Sequence, residues 1–319
     1  MEQLTPQKMV IENPSVPVLP ITAEEEPMEF TLANDKLSIV VSRYGGELRR
    51  LTEKADGTEY LHDRNPEWWK YSSPVLFPIV AKLNENKYRF NGEEFSLPSH
   101  GFGRTSIFDV MSQSNDSIKF ALGWSEETYK DYPFCFKLVI GYRLIDNAVE
   151  VSWRVVNLDA KPIYFSIGAH PALRCPIMPN EDITDCYFSF SKTENAEKFA
   201  VTPDAFILDE KVPGIVGDTQ DLSWEFFAKG TWIFDNLASD RVTIRSRKSD
   251  KSVAVEAPGF PYWAFWSPER GGAPFVCIEP WFGHADFVGF DGELSEKHGI
   301  QTLPIGGIFN AAYRIIIGE

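Results

Sequence analysis

Apolar and polar residues alternate with a two-residue period through most of the chain. In "LSIVVS", Leu37, Ile39 and Val41 share one face. "CFKLVIGYRL" puts Phe136, Leu138, Ile140, Tyr142 and Leu144 on one side, and "AVEVSWRVVN" does the same with Val149, Val151, Trp153 and Val155. The pattern returns in "SIKFAL", "YFSIGA", "CYFSF", "RVTIRS", "SVAVE", "YWAFW", "FVCIE" and "YRIIIG". A two-residue period is that of strands with one buried face, and the breaks carry the Gly, Pro, Asn and Asp that suit turns. Only "NPEWWK" and "SEETYKDY", the latter with Ser125 as a cap, predict helices, both short. Many strands without strand–helix alternation predict an all-β fold, a sandwich or barrel. Regular structure is expected from residue 28 to 319 as a single domain. Residues 1–27, with their prolines and Glu24, Glu25 and Glu26, are expected to form an acidic N-terminal arm.

Composition narrows the class. The 319 residues are 43% hydrophobic and 14% aromatic, enough for a large core. A formal charge of −15 argues against nucleic acid or anionic membrane as a partner. The four cysteines, Cys135, Cys175, Cys186 and Cys277, form no CxxC pair and no dense framework, so reduced thiols are expected. Without a signal-peptide core or an apolar run near the roughly 20 residues of a membrane helix, the expected location is cytoplasmic.

Candidate chemistry lies where polar residues interrupt apolar strands beside turn-formers. "LPSHGFGR" holds His100 and Arg104, "SIGAHP" holds His170, and "FVCIEPWFGHADF" holds Glu279, His284 and Asp286. Glu279 follows four apolar residues and precedes Pro280 and Trp281. Burial there would raise its pKa towards that of a general base working near neutrality; the plainer alternative is a structural carboxylate paired with an arginine or with backbone amides. His170 ends an apolar run and is followed by Pro171, a rigid mount that suits an acid catalyst or an ordinary turn. Gly101 and Gly103 beside His100 allow close backbone approach to a ligand, and suit a turn equally. Trp68, Trp69, Trp263, Trp266 and Trp281 could stack on sugar rings or fill the core. No HExxH, Cys/His cluster, P-loop, GxGxxG fingerprint or GxSxG elbow is present, so neither a metal nor a nucleotide cofactor is expected.

"SPVLFPIVAKL", "LPSHGFGR", "YFSIGAHPA" and "CIEPWFGHAD", in that order, with the closing "ELSEKHGIQTLPIGGIFNAAYRIII", resemble the aldose 1-epimerase (galactose mutarotase-like) family, most closely its compact bacterial branch. The resemblance runs from about residue 30 to the C-terminus. It implies a large antiparallel β-sandwich, the supersandwich, and cofactor-free exchange of the α and β anomers of a hexose. By position, His170 and Glu279 match the catalytic histidine and glutamate, and His100 the second histidine, which helps hold the ring oxygen. Asp235 matches a sugar-binding aspartate, and Trp281 would form an apolar floor. Lys82 falls where the family usually carries a sugar-binding arginine, and lysine lacks the planar fork of donors. Arg104 matches an arginine of this branch, in a region where related hexose-phosphate mutarotases bind phosphate. The implied partner is thus a hexose or hexose phosphate, with a monomer or homodimer left open. The alternatives to an aldose mutarotase are a hexose-6-phosphate mutarotase and a non-catalytic carbohydrate-binding or sensory protein on the same fold.

Overall fold

Two antiparallel sheets stack to form the body of the protein. The computed structural model describes residues 28–318, so the expected arm over residues 1–27 lies outside the described residues. The larger sheet has nine strands, in the spatial order Ile207–Asp221, Cys186–Val201, Arg241–Ser246, Ser252–Glu256, Ile308–Ile317, Ala148–Asn157, Phe136–Ile145, Ser117–Gly123 and Asp109–Gln113. The smaller sheet has six: Trp232–Phe234, Tyr262–Trp266, Phe275–Phe282, Ile167–Ala169 and Val75–Leu76 in sequence across it, with Ala172–Arg174 also paired to Phe275–Phe282. A three-stranded sheet of Glu29–Ala33, Leu37–Ser42 and Glu47–Glu53 adds to this core.

The alternating pattern accounts for the packing. Phe136, Leu138, Ile140, Tyr142 and Leu144 are all buried, as are Val149, Val151, Trp153 and Val155 on the neighbouring strand. Leu37, Ile39 and Val41 are each 0% exposed. Aromatic rings join the two large sheets: Phe188 meets Phe265 at 4.9 Å between centroids, and Phe77 meets Phe136 at 5.1 Å. Such contacts bury large apolar surfaces and fix the sheets' separation.

The helical expectations divide. "SEETYKDY" contains the helix Glu126–Asp131, with Ser125 Oγ accepting the Thr128 amide. "NPEWWK" forms a turn: the Asn65 side chain accepts the Glu67 amide, and its carbonyl accepts those of Trp68 and Trp69. Local side-chain bonding of this kind competes with helix propagation, and the chain leaves the turn with Trp69 directed at the small sheet. A one-turn helix, Trp224–Phe227 capped by Ser223, has no matching expectation. Among the described residues, no helix is long and apolar enough to cross a membrane.

Candidate active site

The strand Phe275–Phe282 organises the site. On one side it pairs with two short strands: Gly168 opposes Trp281, and Ala172 opposes Cys277. Both pairs share one register, which puts His170 across from Glu279. The ladder lapses between them because Pro171 has no N–H to give. In that gap His170 Nε2 lies 3.3 Å from Glu279 Oε2. The histidine at the end of an apolar run is therefore set against a carboxylate by sheet register.

Four carboxylates are buried among the described residues, and their surroundings separate structural from chemical roles. Glu47 pairs with Arg49 at 2.9 Å and accepts the amides of Ser72 and Ser73. Glu194 accepts the amides of Ala238 and Ser239. Asp286 pairs with Lys297 at 2.7 Å and accepts the Asn84 amide. Glu279, 1% exposed, has no Lys or Arg within ion-pair distance, and its Oε2 has no hydrogen-bond partner. A buried carboxylate without a cation is costly as a purely structural element and is characteristic of a group kept for proton transfer.

Burial sets the protonation of the pair. It pushes the Glu279 carboxyl well above the usual 4.5, with the Trp281 side chain acting in the opposite direction. It pushes His170 well below 6.5, helped by repulsion from His100 and Arg104. Between the two shifted values the pair shares one proton. It can sit on the glutamic acid, or cross 3.3 Å to give an imidazolium and a carboxylate.

Around the pair is a cavity of about 200 Å³, lined by Trp69, Lys82, Ser99, His100, His170, Trp266, Glu279 and Trp281 among others. Trp69 stacks on His170 with centroids 4.5 Å apart, and Trp266 meets the imidazole edge-on at 5.5 Å. His62, from a segment without a site expectation, bonds the Trp69 carbonyl at 2.9 Å and so steadies that loop from behind. The Trp281 indole donates to the Ala169 carbonyl at 3.1 Å, which fixes it flat against the strand that leads to His170.

His100 is held in a left-handed conformation, φ 65°, with Gly101 at 66° after it. A Cβ on Gly101 would lie 2.4 Å from the Phe77 carbonyl oxygen, so this turn requires glycine. The Ala81 amide donates to His100 Nδ1 at 3.1 Å, which leaves the ring proton on Nε2. Burial, with repulsion from Arg104 and Lys82, lowers its pKa to about 3. His100 is thus a neutral hydrogen-bond donor, its ring 5.5 Å from that of His170.

Not every expected residue reaches the cavity. Lys82 lines it at the rim, with Nζ donating to the Asp204 carbonyl at 2.8 Å. Arg104 is not among its lining residues: the guanidinium donates to the Ser99 carbonyl at 2.8 Å and lies over the Tyr71 ring. It supports the "SHG" turn from behind. Asp235 is also absent from the lining and is paired with Lys211 at 2.6 Å, while its near neighbour Ile233 faces the cavity. Of the five candidate tryptophans, Trp69, Trp266 and Trp281 line the cavity; Trp68 and Trp263 do not. Ala81, Ala205 and Thr231 contribute walls without any sequence signal.

Gly168 decides how close Trp281 can lie. A Cβ there would fall 2.5 Å from Trp281 Cδ1, below any normal contact, so the indole must shift. Gly168→Ala is expected to cost about 1–3 kcal/mol of stability in denaturant unfolding, as overpacking does, and to weaken ligand binding by displacing the floor. Wild-type stability and affinity in this variant would show that the close approach carries no weight.

His170, Cys277 and Glu279 bring a nitrogen, a sulfur and a carboxylate oxygen within 4.8 Å of one another. The types are those of a zinc site; Cys277 is 0% exposed and packs with Ala172, Ala273 and Phe275. A larger cavity of about 490 Å³ lies beyond Asp286, with Lys87, Arg89, Glu85 and Glu94 on its walls. It contains no histidine–carboxylate pair.

Comparison with known proteins shows the family and the fold. The aldose 1-epimerase family model matches residues 28–300. The chain is 32% identical over 288 residues to the chromosomal protein LacX of Lactococcus lactis subsp. lactis, covering 87% of this chain and 96% of that protein. A galactose mutarotase related enzyme from Lactobacillus acidophilus superposes with a TM-score of 0.88 at 30% identity, covering 92% of this chain and 98% of that one. A galactose mutarotase-like protein from Lactobacillus casei gives 0.86 at 29% identity, covering 91% and 99%. The fold is the galactose mutarotase-like β-sandwich, and the chain belongs to the aldose 1-epimerase family.

Proposed function

We propose that this protein is an aldose mutarotase that interconverts the α and β anomers of a hexose by acid–base ring opening and closure. The observation that carries the reading is the buried His170–Glu279 pair, without a cation partner and facing a cavity floored by Trp281. Anomer exchange breaks the bond between C1 and the ring oxygen. O1 must lose a proton while the ring oxygen gains one. Glu279 takes the proton from O1, and His170, as imidazolium, gives one to the ring oxygen. The pair ends as neutral imidazole and glutamic acid, the form that burial favours, so the open-chain state is met by an uncharged pair. Rotation about C1–C2 presents the other face of the aldehyde. Glu279 then returns a proton to the carbonyl oxygen as His170 removes the one on O5. His100, a neutral Nε2–H donor, steadies the ring oxygen without competing as an acid.

The cavity favours an uncharged sugar over a sugar phosphate. Among the described residues Lys82 is the one lysine or arginine on its lining, and Arg104 is committed to Ser99 and Tyr71. Exchange NMR on D-glucose, D-galactose and glucose 6-phosphate tests both points: the free hexoses should show accelerated anomer exchange. Acceleration of glucose 6-phosphate alone would turn the assignment to the phosphate, and acceleration of none would leave a sugar-binding protein.

Lys82→Arg should shift the galactose-to-glucose preference by about tenfold while changing the rate on the better sugar less, because a planar fork selects hydroxyl geometry that a point charge does not. Unchanged preference, read as a ratio of kcat/KM values, would remove Lys82 from hydroxyl recognition.

A further inference from the structure

We infer that Asp286 is a positioning residue that clamps two walls of the sugar cleft to each other, an assignment that rests on the proposed function of that cleft. Asp286 sits in "GHAD", just beyond the catalytic strand, and the proton transfers use no atom of it. It is 3% exposed, and both its backbone and its carboxylate are fully engaged. Each of these bonds but one ends on a wall of the cleft. Its amide donates to the Lys82 carbonyl at 2.9 Å, and its carbonyl accepts the Ile207 amide at 3.0 Å. Oδ2 accepts the Asn84 amide at 2.8 Å. Oδ1 is held by Lys297 Nζ at 2.7 Å.

The first wall is the segment from Ala81 to Asn84. Ala81, at a strained φ of 58°, gives its amide to His100 Nδ1 and takes the His100 amide on its carbonyl at 2.8 Å. Lys82 follows at the rim. Movement of this segment would release the bond that fixes the His100 tautomer. The second wall is the turn before Ile207, which places Ala205 on the lining and offers the Asp204 carbonyl to Lys82 Nζ. Both walls are loops, and one carboxylate residue ties them together. Buried ion pairs are often replaceable by apolar residues without loss of stability. The gain from Asp286–Lys297 is therefore placed in geometry, and small displacements of positioning groups are costly to function.

The test is Asp286→Leu with Lys297→Met, which removes the carboxylate's hold on the Asn84 amide and on Lys297, keeps the backbone bonds to Lys82 and Ile207, and leaves no unpaired charge. KM for the better hexose should rise about tenfold with kcat changed less, as expected when walls that bind the sugar shift. In ¹⁵N-detected spectra the His100 ring should lose its single-tautomer signature. Wild-type KM and an unaltered His100 signature would overturn the assignment, whatever the melting temperature did. If the double variant does not fold, Asp286→Asn with Lys297→Met carries the test. It keeps the shape of the Asp286 side chain and reduces its charge-assisted hold on the Asn84 amide to a neutral one. A raised KM supports the clamp and an unchanged KM refutes it. If the wild-type protein accelerates no sugar, the proposed function fails separately, and the His100 signature in the double variant alone decides: loss supports the clamp, retention overturns it.

Discussion

Glu279→Gln is expected to lower the anomer-exchange rate by about a hundred- to ten-thousand-fold, the range that one positioned proton-transfer group supplies. The substitution keeps the shape of the side chain and removes its capacity to accept a proton. It should not cost stability. In the folded protein the Glu279 pKa is raised well above 4.5, so the wild type has its full stability below that pH and loses some as pH rises towards the folded value. Glutamine titrates nowhere in this range. The variant should therefore match the wild type in acid and become relatively more stable as pH rises. Polarimetry gives the rate, and thermal unfolding at several pH values gives the stability. An active variant would remove Glu279 from the chemistry; an inactive variant that has also lost its fold would say nothing for catalysis and would contradict the stability argument.

His170→Asn is the second large effect, again about a hundredfold or more. Its signature is the pH profile. The wild type should give a bell-shaped profile, because catalysis needs one shared proton on the pair. The acid limb should lie well below the usual imidazole 6.5, since burial and the neighbouring His100 and Arg104 resist a second proton. The alkaline limb should lie well above the usual carboxylate 4.5, since burial resists ionisation of Glu279. Both limbs belong to the pair and not to either residue. In His170→Asn the alkaline limb should vanish, because no imidazolium proton is left to lose, and the residual rate should rise to a plateau as Glu279 ionises. The double variant should be little slower than either single one, as for groups that act as a unit. Multiplicative losses in the double variant, or an alkaline limb that survives the loss of His170, would separate the two residues.

Much of the fold was legible because one face of most strands is buried, so the core face is written as alternation. "CFKLVIGYRL" and "AVEVSWRVVN" show this directly. The long hairpin of Cys186–Val201 and Ile207–Asp221 was legible only at "CYFSF". Beyond Phe190 much of it is exposed, with register shifts, so "SKTENAEKFAV" carries no clean period. "NPEWWK" misled because helix-compatible composition at a single turn is outweighed by the Asn65 side chain and by the demand that Trp69 reach His170.

The site divides in the same way. His170, His100 and Glu279 interrupt apolar runs, and that interruption is visible in sequence because a buried polar group needs a reason. Their meeting was not visible, since it depends on the register that sets Gly168 against Trp281 and Ala172 against Cys277. Arg104 and Asp235 show the limit of position along the chain: each lies near the cavity in sequence, yet its side chain is turned to Ser99 and Tyr71 or to Lys211. Asp286 was conspicuous in "GHAD", but only the three-dimensional hydrogen bonds distinguish a clamp from a catalyst.

The most direct measurement is polarimetry of freshly dissolved α-D-galactose and α-D-glucose with catalytic amounts of the wild-type protein and of Glu279→Gln. Faster approach to the equilibrium rotation with the wild type, absent in the variant, is the predicted result. A wild-type trace that follows the spontaneous rate for both sugars, or a variant as fast as the wild type, would contradict the central claim.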